Sequence, residues 1–156
     1  MTHTMNILII NGPNLNLTGK RNVAQYGTRS MEQIVLALQA DHPSCRFTYF
    51  QSNHEGCLID KLQEAGTKDE ETDMYPYDAV VINPGGLCHT SVSLHDTVEW
   101  LHEYGRTVVE VHLSHIGERE PFRRHSLLSE VCTNTFYGLD AYEKAVGYIE
   151  SAGLCR

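Results

Sequence analysis

The feature that most constrains the fold of this chain is a regular alternation of short apolar runs with stretches of helical periodicity. The candidate strands span 6–10, 47–51, 79–83, 107–113 and, more weakly, 131–137. The candidate helices carry their apolar residues within 31–38, 58–65, 94–101 and 141–149. Because this alternation favours parallel strand pairing, we predict an α/β fold, a doubly wound five-stranded parallel sheet with helices on both faces.

Length and charge narrow the class of protein further. The 156 residues, 41% of them apolar, fit a single domain over 1–156. The net charge of −8 argues against nucleic acid and anionic membranes as partners, and it favours an anionic small substrate only if cations are placed locally. No apolar run approaches the roughly 20 residues of a membrane span, and residues 1–5 do not resemble a signal peptide. We therefore expect a cytoplasmic protein.

The cysteines give no sign of a disulfide framework or a zinc site. The five are odd in number and scattered, and none forms a Cys-x-x-Cys pair. We expect reduced thiols at Cys45, Cys57, Cys88, Cys132 and Cys155.

Polar residues follow the first strand, at the edge where sheets of this kind bind ligands. Asn14 lies in an Asn/Gly/Pro-rich stretch that is also compatible with an ordinary turn. Residues 19–27, the lid segment, begin and end with glycine and carry Arg21 and Tyr26. A guanidinium near a phenol favours the phenolate, which can act as a base. An exposed loop is the alternative for this segment.

A second polar cluster follows the third strand. Asn83 ends the apolar run, and a turn with Gly85 and Gly86 leads to His89. Two glycines let a backbone approach a ligand closely, with Asn83 and His89 on either side. A strand–helix turn with a capping side chain is the alternative.

The fourth strand carries the most informative pair. Its period of two places Glu110, His112 and Ser114 on one face. Glu110 can support His112 as a proton donor. A buried structural ion pair and a zinc site that includes His115 remain open as alternatives. Further along, Arg123 could bind oxygens of a polar ligand bidentately, or lie in solvent.

The helix within 94–101 carries a second, weaker apolar stripe. Val92, Asp96 and Trp100 lie nearly opposite its core-facing residues. An apolar stripe with a central carboxylate suggests a subunit interface. An exposed Asp96 beside a partly buried tryptophan is the alternative.

Taken together, these stretches resemble the type II 3-dehydroquinate dehydratases. The resemblance is carried, in order and over most of the chain, by NGPNLNLTG (11–19), RNVAQYG (21–27), QSNHEG (51–56), NPGGLCHTSVSLHD (83–96) and EVHLSHIGEREPFRRHS (110–126). It implies a flavodoxin-like fold, the anti elimination of water from 3-dehydroquinate to give 3-dehydroshikimate, and no metal or organic cofactor. It also implies a homo-oligomer, a dodecamer built from trimers.

The resemblance also implies roles for single residues. Tyr26 would remove the C2 proton, with Arg21 stabilising its phenolate. Asn14 would hold a water beside the enolate, and His112, backed by Glu110, would protonate the departing hydroxyl. The implied substrate-binding residues are Asn83, Gly85, Gly86, His89, Leu113, Ser114, Arg123 and, from a neighbouring subunit, Asp96.

This chain departs from the family pattern at the edges of the site. Asn22-Val23 replaces a more usual Glu-Pro on the lid segment, and Cys88 replaces a common threonine. Residues 115–118 replace Asn-Val-His-Ala, and 68–75 form a longer loop than usual. Two other functions therefore stay open: a flavodoxin-like binding protein with weakened turnover, and a metal-dependent hydrolase using Glu110, His112 and His115.

Overall fold

The strands of the computed structural model, which describes residues 4–152, form one parallel sheet in the order β2-β1-β3-β4-β5. They are β1 (Met5–Asn11), β2 (Cys45–Gln51), β3 (Ala79–Asn83), β4 (Thr107–His112) and β5 (Asn134–Tyr137). The helices are α1 (Val23–Tyr26), α2 (Met31–Asp41), α3 (Glu55–Ala65), α4 (Val92–Glu103) and α5 (Ala141–Ser151). This strand order is that of flavodoxin-like proteins, so the predicted fold class is confirmed.

Two apolar cores explain why the sequence alternates as it does. One face of the sheet packs against α2 and α5, and the other packs against α3 and α4. Residues 7–10 of β1 and 79–82 of β3 therefore alternate between the opposite cores, which is why both of these runs are apolar throughout. Fully burying a side chain such as Ile9 or Val81 contributes roughly 1.5–3 kcal/mol.

Element boundaries differ from prediction mainly at β5. The expected strand at 131–137 begins only at Asn134, because the amides of Val131 and Cys132 turn back to the carbonyl of Leu128. The short α1 in the lid segment was not predicted, since four residues are too few to show a periodicity.

The strand order creates a crevice at the carboxyl edge of the sheet. The chain leaves β1 toward β2 and leaves β3 in the opposite direction, toward β4, so the loops after β1 and β3 diverge there. Ser91 lies directly after this crevice and precedes α4, and its hydroxyl accepts a hydrogen bond from the Leu94 amide at 2.9 Å. The capping side chain that the sequence allowed at this strand–helix turn is therefore that of Ser91.

Two further expectations, on membrane-spanning helices and on free cysteines, can be compared with the structure over the described residues. Within residues 4–152, every helix is too short or too polar to span a lipid bilayer. Cys45, Cys57, Cys88 and Cys132 are free thiols, and Cys155 lies outside the described residues.

Candidate active site

A cavity of about 230 Å³ opens at the carboxyl edge of the sheet, where the crevice was expected. A space of this size suits one small substituted ring, below the roughly 300–1,000 Å³ typical of larger ligands. Its lining includes every predicted site residue except Glu110 and Asp96: Asn14, Arg21, Tyr26, Asn83, Gly85, Gly86, His89, His112, Leu113, Ser114 and Arg123.

Tyr26 is bracketed by two guanidinium groups. Arg21 lies over its ring, with Cζ 4.5 Å from the ring centroid. Arg119, which the sequence analysis missed, donates from Nη1 to the Tyr26 hydroxyl at 2.7 Å and to Ser114 Oγ at 3.4 Å. A cation at the hydroxyl and a second cation over the ring both favour negative charge on this phenol. Both arginines therefore lie where they would stabilise a phenolate at Tyr26.

His112 is held from behind by Glu110. Nε2 of His112 lies 2.6 Å from Oε2 of Glu110, and Glu110 is completely buried. Burial by itself raises the pKa of Glu110, but hydrogen bonds from His112, Ser126 and Ser129 outweigh it and hold that pKa below its usual value. Glu110 is therefore a carboxylate. It fixes the ring of His112 and leaves the other ring nitrogen for the cavity.

Asn83 is fixed by a buried network that the sequence did not reveal. Its Nδ2 donates to the Tyr142 hydroxyl at 3.0 Å, and that hydroxyl donates to Asn11 Oδ1 at 2.8 Å. Burial raises the pKa of Tyr142 well above its ordinary value, so this phenol stays neutral. Asn83 Oδ1 accepts from the Gly85 amide at 3.2 Å. The orientation of the amide is thus set before any ligand binds.

Gly12 and Gly85 bring the loops after β1 and β3 into backbone contact. A Cβ on Gly12 would lie 2.4 Å from the Pro84 oxygen, and one on Gly85 would lie 2.9 Å from the Pro13 oxygen. Gly85 also has a φ of +60°, which favours glycine. This loop contact holds Asn14 on the cavity wall. Gly86 has open space at its Cβ position and leaves room beside the cavity.

His89 and Arg123 come from the turn after β3 and from a short 3₁₀ helix at Pro121–Arg123. Nδ1 of His89 lies 2.7 Å from the His125 carbonyl oxygen, and its Nε2 lies 3.4 Å from Cys88 Sγ. Arg123 pairs with Glu120. Leu113 and Ser114 follow the last residue of β4 and are both almost fully buried.

Asp96 lies outside the cavity, exposed on α4, where its carboxylate is 3.0 Å from Nδ1 of His95. Val92 beside it is 62% exposed, but Trp100 is not part of this surface. The indole packs at the end of α3, where a Cβ on Gly66 would lie 2.5 Å from its ring. The structure therefore shows the alternative given above, an exposed Asp96 beside a partly buried Trp100, and the outer stripe keeps only Val92 and Asp96.

The cavity is cationic although the chain is acidic. Arginines 21, 119 and 123 and histidines 89 and 112 line it, and its described lining contains no aspartate or glutamate. The nearest buried carboxylate, Glu110, lies behind His112. Local cations of this kind suit a small carboxylate ligand despite the net charge of −8.

The residues suggested for a zinc site do not fit a metal ion. Both oxygens of Glu110 already accept hydrogen bonds from hydroxyl groups. His115 is exposed and lines neighbouring cavities, whereas His112 faces the main one. The three side chains therefore do not converge on one point.

Comparison with known proteins identifies the family. The model of class II dehydroquinases matches residues 5–150. The chain belongs to the class II dehydroquinase family. Its relatives include the 3-dehydroquinate dehydratase of Bacillus pumilus, which is 43% identical over 150 residues, covering 94% of this chain and 95% of that protein. The catabolic 3-dehydroquinase of Phaeosphaeria nodorum is 44% identical over 146 residues, covering 91% and 89%.

Solved class II dehydroquinases share the fold. The type II dehydroquinase of Butyrivibrio crossotus superposes with a TM-score of 0.80 at 36% identity, over 94% of this chain and 97% of that one. The resemblance drawn from the sequence motifs is therefore confirmed at the level of family and fold.

Proposed function

We propose that this chain is a hydro-lyase that removes water from 3-dehydroquinate by anti elimination and gives 3-dehydroshikimate. The observation that carries the proposal is the convergence of Tyr26, flanked by two arginines, and His112, backed by Glu110, on one cationic cavity. Relatives named 3-dehydroquinate dehydratase and catabolic 3-dehydroquinase support the reaction. They leave both a biosynthetic role in the shikimate pathway and a role in quinate breakdown open.

The first step is the removal of a proton from carbon. The Tyr26 phenolate takes the C2 proton, with Arg21 and Arg119 stabilising the phenolate beforehand. Negative charge then passes to the C3 oxygen as an enolate. Asn14, on the cavity wall, holds the water that donates to this oxygen.

The second step expels the hydroxyl group. His112 donates a proton to the departing oxygen as the carbon–oxygen bond breaks, so the hydroxyl leaves as water while the enolate collapses to the enone. Glu110 holds the ring throughout. Ser114 and the backbone at Leu113 bind the substrate carboxylate, while Asn83, His89 and Arg123 bind its hydroxyls. Gly85 and Gly86 let the backbone lie close to the ring.

We propose that the working enzyme is a homo-oligomer, a dodecamer built from trimers, in which Asp96 reaches a neighbouring site. The exposure of Asp96 and Val92 on α4 supports this assembly. Light scattering measures the mass of the assembly directly.

The cytoplasm is the location we propose. Four free thiols among the described residues suit a reducing compartment. Fractionation of the source cells tests this placement.

Turnover of 3-dehydroquinate, followed by the enone absorbance of the product, tests the function. We expect turnover that survives thorough chelation, since the cavity's described residues supply an acid and a base without a metal. Binding without turnover by the assembled protein would favour the ligand-binding alternative. Borohydride should not inactivate the enzyme in the presence of substrate, because no lysine is among the described residues that line the cavity.

A further inference from the structure

Glu110 is surrounded by hydroxyl groups in addition to His112. Its Oε2 accepts from Ser126 as well as from His112. Its Oε1 accepts from Ser129 Oγ at 2.7 Å and from Thr135 Oγ1 at 3.2 Å. A carboxylate has about four lone-pair sites, so these four donors leave Glu110 with no unfilled acceptor position.

This arrangement solves an energetic problem for a fully buried charge. A carboxylate out of contact with water is costly unless hydrogen bonds replace its hydration. One histidine supplies only one donor and would leave three positions empty. The three hydroxyls fill those positions without bringing a second charge or a water molecule into the core.

The three hydroxyls come from two separate parts of the chain. Thr135 lies on β5 directly opposite Glu110 in the strand register. Ser126 and Ser129 lie in the segment between the 3₁₀ helix at Pro121–Arg123 and β5. Ser126 is fixed in turn by accepting a hydrogen bond from the Leu128 amide at 3.2 Å. Both parts must be folded for the set of hydroxyls to form.

We propose that Ser126, Ser129 and Thr135 are positioning residues that keep Glu110 ionised and immobile, so that His112 presents its free ring nitrogen to the substrate as a proton donor. This inference rests on the proposed dehydratase function. The hydroxyls themselves do not touch the reacting atoms. Without them, Glu110 would compete with the substrate for the proton of His112 and would no longer hold the ring.

Other titratable groups also face Glu110. Cys88 lies on the turn after β3, Cys132 precedes β5, and Tyr137 lies on β5. Burial and the charge of Glu110 raise the pKa of each of these three groups, so they stay neutral around pH 7. The ring of Tyr137 stacks on His112 with centroids 5.7 Å apart. His112 is therefore the group in this set that exchanges a proton with the substrate.

The first test is a double-mutant cycle on turnover. Ser129→Ala and Thr135→Val should each lower kcat about tenfold with KM nearly unchanged, since each removes one hydrogen bond to a charge. In a Glu110→Gln background the same changes should lower kcat less than twofold. Thr48→Val, on an exposed position of β2, is the matched control and should leave kcat unchanged. Equal losses in both backgrounds would indicate a purely structural role and overturn the proposal.

The second test does not need catalytic activity. The pKa of Glu110 lies below its usual value in the folded protein, so its contribution to stability is present above the unfolded-state pKa of about 4.3 and is lost as the pH falls through the folded-state value. Removing a hydroxyl raises the folded-state pKa. The stabilisation that ionised Glu110 supplies is then smaller, so acid unfolding of Ser129→Ala and Thr135→Val should begin at a higher pH than that of the wild type.

The two tests separate this inference from the function it rests on. If the wild type does not turn over 3-dehydroquinate, the proposed function fails, yet the acid unfolding curves still report on the hydroxyls. An unchanged onset of acid unfolding in both variants, measured by circular dichroism, would overturn the inference even with an active wild type. A shift that also occurs in the Glu110→Gln background would overturn it as well.

Discussion

Replacement of Arg119 tests how much the base depends on its neighbouring cations. Arg119→Gln removes a charge whose Nη1 donates to the Tyr26 hydroxyl at 2.7 Å. Two unit charges about 4 Å apart interact with about 4 kcal/mol at an effective dielectric constant of ~20. Because Arg119 is half-buried, solvent screening reduces this to about 2 kcal/mol. That free energy corresponds to a loss of roughly 30-fold in kcat/KM.

The assay is steady-state dehydration of 3-dehydroquinate by Arg119→Gln, Arg119→Lys and the wild type. The lysine variant keeps the charge but loses the fork that reaches both Tyr26 and Ser114, so its rate should lie between the other two. Arg46→Gln, an exposed change on β2, controls for the loss of an arginine in general. If Arg119→Gln keeps more than a third of the wild-type kcat/KM, Arg119 does not stabilise the base.

Three further substitutions and one labelling experiment test other parts of the site and fold. Tyr26→Phe and His112→Ala should each bind substrate normally in a titration and lose roughly 10²-fold or more in turnover in a rate assay. Near-normal turnover of either variant would refute the role of that residue. Asp96→Ala should weaken substrate binding or assembly, and unchanged KM and light-scattering mass would exclude a shared site. Burial raises the pKa of the Cys88 thiol to about 12, whereas Cys57 is exposed. Iodoacetamide at pH 7 should therefore label Cys57 and not Cys88, which mass spectrometry would show. Labelling of Cys88 in the native protein would contradict its burial.

The sequence predicted the sheet well because two-sided burial leaves a strong local signal. The bounds of β3, in which residues 79–82 alternate between the two cores, coincide with the predicted strand. Asn83 and His112 stood out as polar residues at the ends of apolar runs. The lid segment stood out through its glycines, one of which, Gly27, has a φ of +83°. Local pattern was sufficient for these features.

Contacts between distant segments could not be predicted in the same way. Arg119 reaches Tyr26 across 93 positions of the chain, and nothing in its own neighbourhood distinguishes it from Arg124. Tyr142 looked like an ordinary apolar position of α5, although its hydroxyl orients Asn83. Trp100 was assigned to an outer stripe because helical spacing cannot show that the end of α3 covers it.

The fate of a deuterium label at C2 during the dehydration tests the elimination by Tyr26 and His112 most directly. The proposed base lies on the lid segment and the proposed acid at the end of β4, so the proton and the hydroxyl should leave from opposite faces of the ring. The substrate would carry deuterium at C2 on the face opposite the departing hydroxyl, and mass spectrometry would follow the product. We expect the wild type to release product without the label. Product that retains the label would contradict elimination by Tyr26 and His112.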